Sequence, residues 1–266
     1  MTQSLPPEYA AYAPESNPST PPPSRWKYGL IAVAAVLLVF GAIAMLLNET
    51  LFRIKKVSVI GNRYRTWEEV VSIAGINGGL SYFTLNESAV ADKINGDRYL
   101  IFEGMEKNFP DSVTLYVRER QPMVGVQEMS ATYLLAADGM VLERNNELAV
   151  YTNMIMVTGL KPKDLHVGRV VTSSNDAIMD AYLQLLEEIS LQGFTDEVSE
   201  LNLSDPDSLY LVTREGFTAH LGDLNDLRAK IGTVRAVVYK LREMGKTKGM
   251  IEATVPGEAT YSPPSQ

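Results

Sequence analysis

The sequence predicts an α+β protein with one membrane-crossing helix near its N-terminus, then a compact βααββ unit, then a mixed α+β unit with an antiparallel sheet. Three observations predict it. Gly29 to Leu47 is a run of 19 residues without a charged or strongly polar group. As a helix it spans about 28 Å, against a hydrocarbon core of about 30 Å. From Lys55 to Arg118, period-two and helical apolar patterns follow in the order strand, helix, helix, strand, strand. Beyond Gln121, short apolar strands alternate with two longer amphipathic helices.

Composition narrows the chemistry. The chain has 266 residues, 45% of them hydrophobic, so a sizeable core can be buried. Lys and Arg total 24 against 32 Asp and Glu, a net charge of −8, which speaks against a nucleic-acid surface. There is no Cys, which excludes disulfides, thiolate metal sites and a cysteine nucleophile. His166 and His220 are the two imidazoles. The acidity is uneven: residues 52–120 hold ten basic and nine acidic side chains, whereas 121–266 hold twelve and twenty.

The apolar run is too long for a signal-peptide core, no small-x-small cleavage site follows it, and it has no polar face of the kind a soluble core helix needs. Trp26, Tyr28, Phe40 and Leu47 are its expected membrane-anchoring side chains. Charge alone points the wrong way for orientation, since Arg25 and Lys27 precede the span while Arg53, Lys55, Lys56, Arg63 and Arg65 follow it. Long domains translocate largely regardless of such charges, so an internal N-terminus is expected. Residues 1–24 hold seven prolines and should be a disordered cytoplasmic tail.

Lys55-Lys-Val-Ser-Val-Ile60 alternates as a half-buried strand and stops at Gly61-Asn62. Thr66-Trp-Glu-Glu69 reads as a capping box opening a helix through Val70, Ile73 and Ala74. Asn86 caps a second helix through Val90 and Ile94, ended at Gly96. Ile101–Lys107 and Val113–Arg118 are strands joined by the turn Asn108-Phe-Pro-Asp111.

In the second unit, Tyr133 to Leu142 reads as a hairpin turning at Asp138-Gly139. Ser174–Ile189 is an amphipathic helix with Ile178, Ala181, Tyr182, Leu185 and Ile189 on one side. Val198–Leu203, Leu209–Thr213 and Phe217–Leu221 are strands. Asp223 is expected to cap a helix through Leu227, Ile231, Val234, Val238 and Leu241, ended at Gly245. Ile251–Thr254 is expected as the final strand.

Chemical motifs are scarce. The chain holds no Gly-x-Ser-x-Gly elbow, Ser-x-x-Lys motif, Walker loop or dinucleotide fingerprint. His166 and His220 lie 54 residues apart with no acid-rich loop at ligand spacing, and Asp205-Pro-Asp207 alone is short of a calcium shell. Glu68-Glu69 and Glu187-Glu188 are neighbours about 100° apart on helices, not a facing dyad.

Val57-x-Val59-x-Gly61-Asn62, Ala74-Gly75-Ile76, Phe83, Phe109-Pro110, Val113-x-Leu115-x-Val117 and Glu119-Arg120-x-Pro122 follow one another directly after an apolar helix. In order and spacing they resemble the POTRA domain of the FtsQ/DivIB family of single-pass bacterial cell-division proteins. Gly216-Phe-Thr-Ala-His-Leu-Gly222 with Leu227-x-x-Lys230-Ile231 is similar to that family's β domain. The resemblance covers about Arg25 to Ala253 and implies a helix at 25–48, a POTRA domain at 52–121, a β domain at 122–254 and a C-terminal tail at 255–266. It further implies a non-enzymatic scaffold without a cofactor, in the cell membrane at the division septum, with its C-terminal domains outside.

The implied partners are FtsL-type and FtsB/DivIC-type proteins, with the POTRA domain open to other membrane division proteins. A final strand leaves an unpaired edge that accepts an extended partner segment. Ile251, Ala253, Val255, Gly257, Ala259 and Tyr261 are the residues expected to line that contact. The alternative is a membrane-anchored wall hydrolase or protease. A POTRA chaperone for outer-membrane transport would need tandem repeats and barrel strands that the chain lacks.

Overall fold

A computed structural model describes residues 25–76, 78–147, 151 and 153–264. The tail expected at residues 1–24 lies outside them. The first element is α1, Arg25–Thr50. Its side chains from Trp26 to Leu46 are all exposed, and over that stretch it is long and apolar enough to cross a membrane. It belongs to a unit ending at Phe52, and Arg53 to Gln266 form a second.

The second unit begins with β1 (Lys56–Ile60), α2 (Trp67–Ala74), α3 (Glu87–Asn95), β2 (Leu100–Asn108) and β3 (Ser112–Glu119). The strands form a sheet in the order β1-β3-β2, with β1 parallel and β2 antiparallel to β3. A parallel pair needs a crossover, and the two helices supply it. Val70 and Ala74 of α2, Val90 and Ile94 of α3, and Val113, Leu115 and Val117 of β3 close a common core. Each helix starts where its capping residue stands. The Thr66 hydroxyl accepts from the Glu69 N–H at 3.3 Å while the Thr66 N–H donates to Glu69 Oε2 at 3.0 Å. The Asn86 side-chain oxygen takes the Ser88 and Ala89 N–H groups.

Glu119 closes this domain at the far end of β3. Its carboxylate accepts three successive backbone N–H groups, from Arg63 and Arg65 at 2.8 Å each and from Tyr64 at 2.9 Å. Burial alone would raise the Glu119 carboxyl, but the N–H groups of Arg63, Arg65 and Tyr64 and the Arg65 charge outweigh it and hold the group below its ordinary 4.5. A folded-state value below the unfolded one means that the stabilisation is complete above about pH 4.5 and is lost as pH falls through the lowered value. Glu119→Gln is therefore expected to cost about 1–2 kcal/mol at neutral pH, discounted for partial exposure. In thermal unfolding from neutral pH into acid, its midpoint should converge on the parent's; a constant gap would sink this account.

The remainder builds one sheet from β4 (Val124–Glu128), β5 (Ala131–Leu135), β6 (Val141–Asn145), β7 (Ile155–Thr158), β10 (Val198–Asn202), β11 (Leu209–Thr213), β12 (Phe217–Gly222), β13 (Gly249–Glu252) and β14 (Thr260–Ser262). Their order is β14-β13-β12-β11-β10-β7-β4-β5-β6. The short pair β8 (Pro162–Asp164) and β9 (Thr172–Ser173) stands apart. The sheet is mixed rather than antiparallel throughout, because β4–β7, β7–β10 and β12–β13 are parallel. Helices α4 (Asp176–Leu191) and α5 (Leu227–Glu243) share its core, through Ile178, Tyr182 and Leu185 of the first and Ile231, Val234 and Val238 of the second.

Asp223 does not cap α5. The helix starts four residues later behind Asp226, which sits at φ 51° and whose side chain makes no capping hydrogen bond. Asp223 instead receives the ammonium of Lys230, a side chain only 2% exposed, at 2.7 Å on its carboxylate and 3.0 Å on its backbone oxygen. The Lys230 ammonium, seconded by Asn225, holds the Asp223 carboxyl below its ordinary range. A buried lysine needs such partners, and that requirement overrides the local capping preference.

Candidate functional site

The terminal edge of the large sheet differs from the sequence expectation in a way that matters for binding. Strand β13 comes two residues earlier than expected and is not the last. The chain leaves it at Glu252, turns through Val255 and Gly257, and returns as β14 antiparallel to β13, with Ile251 opposite Tyr261. The region expected as a tail thus contains the strand that ends the sheet.

The candidate contact residues divide accordingly. Ile251 and Ala253 are fully buried in the core, and the Ala253 N–H donates to the His220 carbonyl on the inner side. Their side chains are turned into the core rather than toward the outer edge. Val255, Gly257 and Ala259 are exposed along the return loop, which the Glu258 N–H to Val255 carbonyl bond closes. Tyr261 is half-buried. Its ring meets Phe217 edge-on at 6.4 Å and its hydroxyl donates to the Lys248 carbonyl at 2.9 Å. Thr260 and Ser262 are exposed.

Sequence reasoning missed Gly249. At φ 144° it begins β13, and a Cβ there would lie 2.5 Å from the Tyr261 ring and 2.7 Å from the Ser262 carbonyl. Glycine is what allows β14 to lie this close. At the opposite end of the sheet the start of β6 is covered by a loop: the Val141 N–H donates to the Arg169 carbonyl, and the Gly168 N–H to that of Val141.

His220 has a role that the sequence did not reveal. Its Nδ1 pairs with Glu252 of β13 at 2.8 Å, its Nε2 with the Ser208 hydroxyl at 3.0 Å, and its ring stacks on Tyr210 at 4.5 Å. This chain of contacts fastens β13 to β12 and to the loop before β11. His166 contacts Asp164, two residues before it. Among the described residues no group of three or more His, Asp or Glu side chains could hold a metal ion.

A second junction lies between the small domain and the large sheet. Arg120, its side chain 10% exposed, donates to the Leu100 carbonyl at 2.6 Å and, through Nε, to Asp138 in the β5–β6 turn at 2.8 Å. Beside it the Tyr99 hydroxyl donates to Glu143 at 2.9 Å. Of the expected anchor residues, Trp26, Tyr28 and Phe40 are exposed on α1, and Leu47 lies within the helix.

A βααββ domain, a mixed sheet domain whose last strand returns along its edge and, among the described residues, one helix apolar and long enough to cross a membrane together define a POTRA-bearing protein. Comparison with known proteins agrees. The FtsQ-type POTRA domain matches residues 52–120, and the C-terminal domain of cell division protein FtsQ/DivIB matches residues 125–253. Cell division protein FtsQ of Syntrophotalea carbinolica is 25% identical over 221 residues, 81% of this chain and 77% of the relative. Cell division protein DivIB of Clostridium acetobutylicum is 20% identical over 224 residues, 83% of this chain and 86% of the relative. The chain belongs to the FtsQ/DivIB family of cell division proteins.

Proposed function

We propose that this protein is a non-enzymatic scaffold of the septal division complex. In this reading α1 crosses the cell membrane with its N-terminus in the cytoplasm, and the POTRA and sheet domains stand outside. The outer edge of the sheet takes up an extended segment of an FtsB/DivIC-type partner, with FtsL completing the complex. The observation that carries it is the strand order, which ends on the three-residue β14. Main-chain groups on the outer side of a last strand are a template for another strand. Pro263-Pro264 bounds that template, because proline has no N–H to donate.

The test is a titration of the full chain in nanodiscs with the exported part of an FtsB/DivIC-type protein, beside a chain ending at Gly257. That cut removes β14 and spares Ile251 and Ala253, which a cut at Met250 would tear from the core. Loss of several main-chain hydrogen bonds should weaken binding at least about tenfold. Equal binding by both chains would move the contact elsewhere, the POTRA domain being the next surface to search.

One observation favours the hydrolase alternative: Ser208, His220 and Glu252 stand in the order of a nucleophile, base and orienting acid. The Ser208 N–H, however, already donates to the Asp205 carbonyl at 3.1 Å, and the relay joins strands β12 and β13 to the loop before β11. The scaffold reading expects Ser208→Ala to leave the rate of 4-nitrophenyl acetate hydrolysis at the buffer level found for the parent. A parent rate above buffer that falls in the variant would favour the enzyme.

A further inference from the structure

Arg53, Lys55 and Lys56, three of the basic residues after α1 that run against the usual charge bias of an exported flank, enter the folded POTRA domain beside an aromatic cluster. The chain enters this domain through Ile54, which is buried and whose N–H donates to the Leu80 carbonyl. Arg53 bridges to Ser81, and the Lys55 and Lys56 N–H groups donate to the Asp111 carbonyl. Segments 80–86 and 107–112 therefore flank the entry point.

At this end Phe83 and Phe109 are 63% and 66% exposed, although Tyr82 meets both edge-on at 5.5 and 5.7 Å. Lys107 binds the Tyr82 and Leu85 carbonyls behind them. In a chain of net charge −8, the stretches 51–56, 80–86 and 107–112 carry four basic side chains, Arg53, Lys55, Lys56 and Lys107, against one acid, Asp111. Lys55 pairs with Asp111 at 3.9 Å, and exposed aromatics on segments with this surplus of lysine and arginine suit the headgroup layer of an anionic bilayer.

Covalent length brings that surface within reach. Three residues separate Thr50, the last of α1, from buried Ile54, and the four peptide steps between them reach at most about 14 Å. We propose that the end of the POTRA domain bearing Phe83 and Phe109 docks on the anionic lipid surface around the base of α1. This rests on the reading that α1 spans the membrane. Docking would restrict how far the outer domains swing on their short tether, and so the height at which the sheet edge meets its partners.

Because the chain has no Cys, a spin label on Asn108→Cys is unique. The full chain is placed in nanodiscs of phosphatidylcholine alone or mixed equally with phosphatidylglycerol, with labels at Glu128→Cys and Val36→Cys as references. In anionic discs the Asn108 label is expected to be accessible to oxygen and shielded from a water-soluble nickel chelate. The double change Phe83→Ser, Phe109→Ser should return it to the accessibility of the Glu128 label, and high salt should weaken the shielding. A water-exposed Asn108 label, a shielded one indifferent to both lipid charge and the double change, or dipolar broadening from a second copy would each overturn the docking. A Val36 label found outside the bilayer core would overturn the spanning reading, and the docking with it. A Val36 label in the core beside a water-exposed Asn108 label overturns the docking alone.

Discussion

Gly61→Ala is expected to destabilise the POTRA domain by about 3–5 kcal/mol, the largest stability loss foreseen for a single methyl group in this chain. Gly61 follows β1 at φ 97°, and a Cβ built there would lie 1.9 Å from the Val117 carbonyl oxygen and 3.1 Å from its carbon. Both obstacles are backbone, so no side chain can swing aside. Relief requires β1 to separate from β3, which breaks the parallel pairing of Val57 with Val113 and Val59 with Leu115 and opens the core around Val113, Leu115 and Val117. Gly78→Ala is the control, because nothing lies within 4 Å of the corresponding position. There the substitution should be neutral or slightly stabilising through the unfolded chain. Hydrogen exchange on the full chain should show protection lost in β1 and β3 for Gly61→Ala, with the β11 and β12 amides unchanged. Equal protection in the Gly61 and Gly78 variants would refute the close-approach argument.

The second large effect is expected at the other end of the molecule. Gly249→Ala should release β14 at a cost of about 2–3 kcal/mol, since the new methyl would overlap both the Tyr261 ring and the Ser262 carbonyl. Tyr261 would lose its hydrogen bond to Lys248 and its edge-on contact with Phe217. Strand β13 should stay in place through its parallel pairing with β12, the buried Ile251 and Ala253, and the Glu252–His220 bond. Limited proteolysis of the variant is expected to cut within residues 254–262 while the sheet domain remains resistant, and partner binding should fall as it does in the chain ending at Gly257. A variant as resistant as the parent that binds equally well would show β14 to be neither displaced nor needed.

Much of the architecture was legible because it depends on neighbours in sequence. The length of the apolar run set α1, and the capping box at Thr66 and the cap at Asn86 set the starts of α2 and α3. Alternation in Lys56–Ile60 and Ser112–Glu119 marked strands, and the helical spacing of Ile178, Ala181, Tyr182, Leu185 and Ile189 marked the buried side of α4. In these cases one local preference and one buried face agree, so periodicity alone is informative.

What escaped the sequence depends on groups brought together from far apart. Thr260 to Ser262 is too short to show a period, lies between a turn and two prolines, and becomes a strand because β13 offers an edge and Gly249 leaves room for Tyr261. Asp223 carries the signature of a cap, but buried Lys230 takes it as a counter-charge, and α5 starts later. Ser208, His220 and Glu252 carry no motif spacing, and the order β11-β12-β13 is what aligns them. The same holds for the basic residues after α1 and for Phe83 and Phe109, separate in sequence and joined at one end of the POTRA domain by the strand pairing. Local hydrogen-bonding and apolar patterns, read from sequence, determined which elements form. Only the tertiary structure decided which edges and side chains remain outward, because that depends on long-range pairing and on which polar groups must be satisfied once buried.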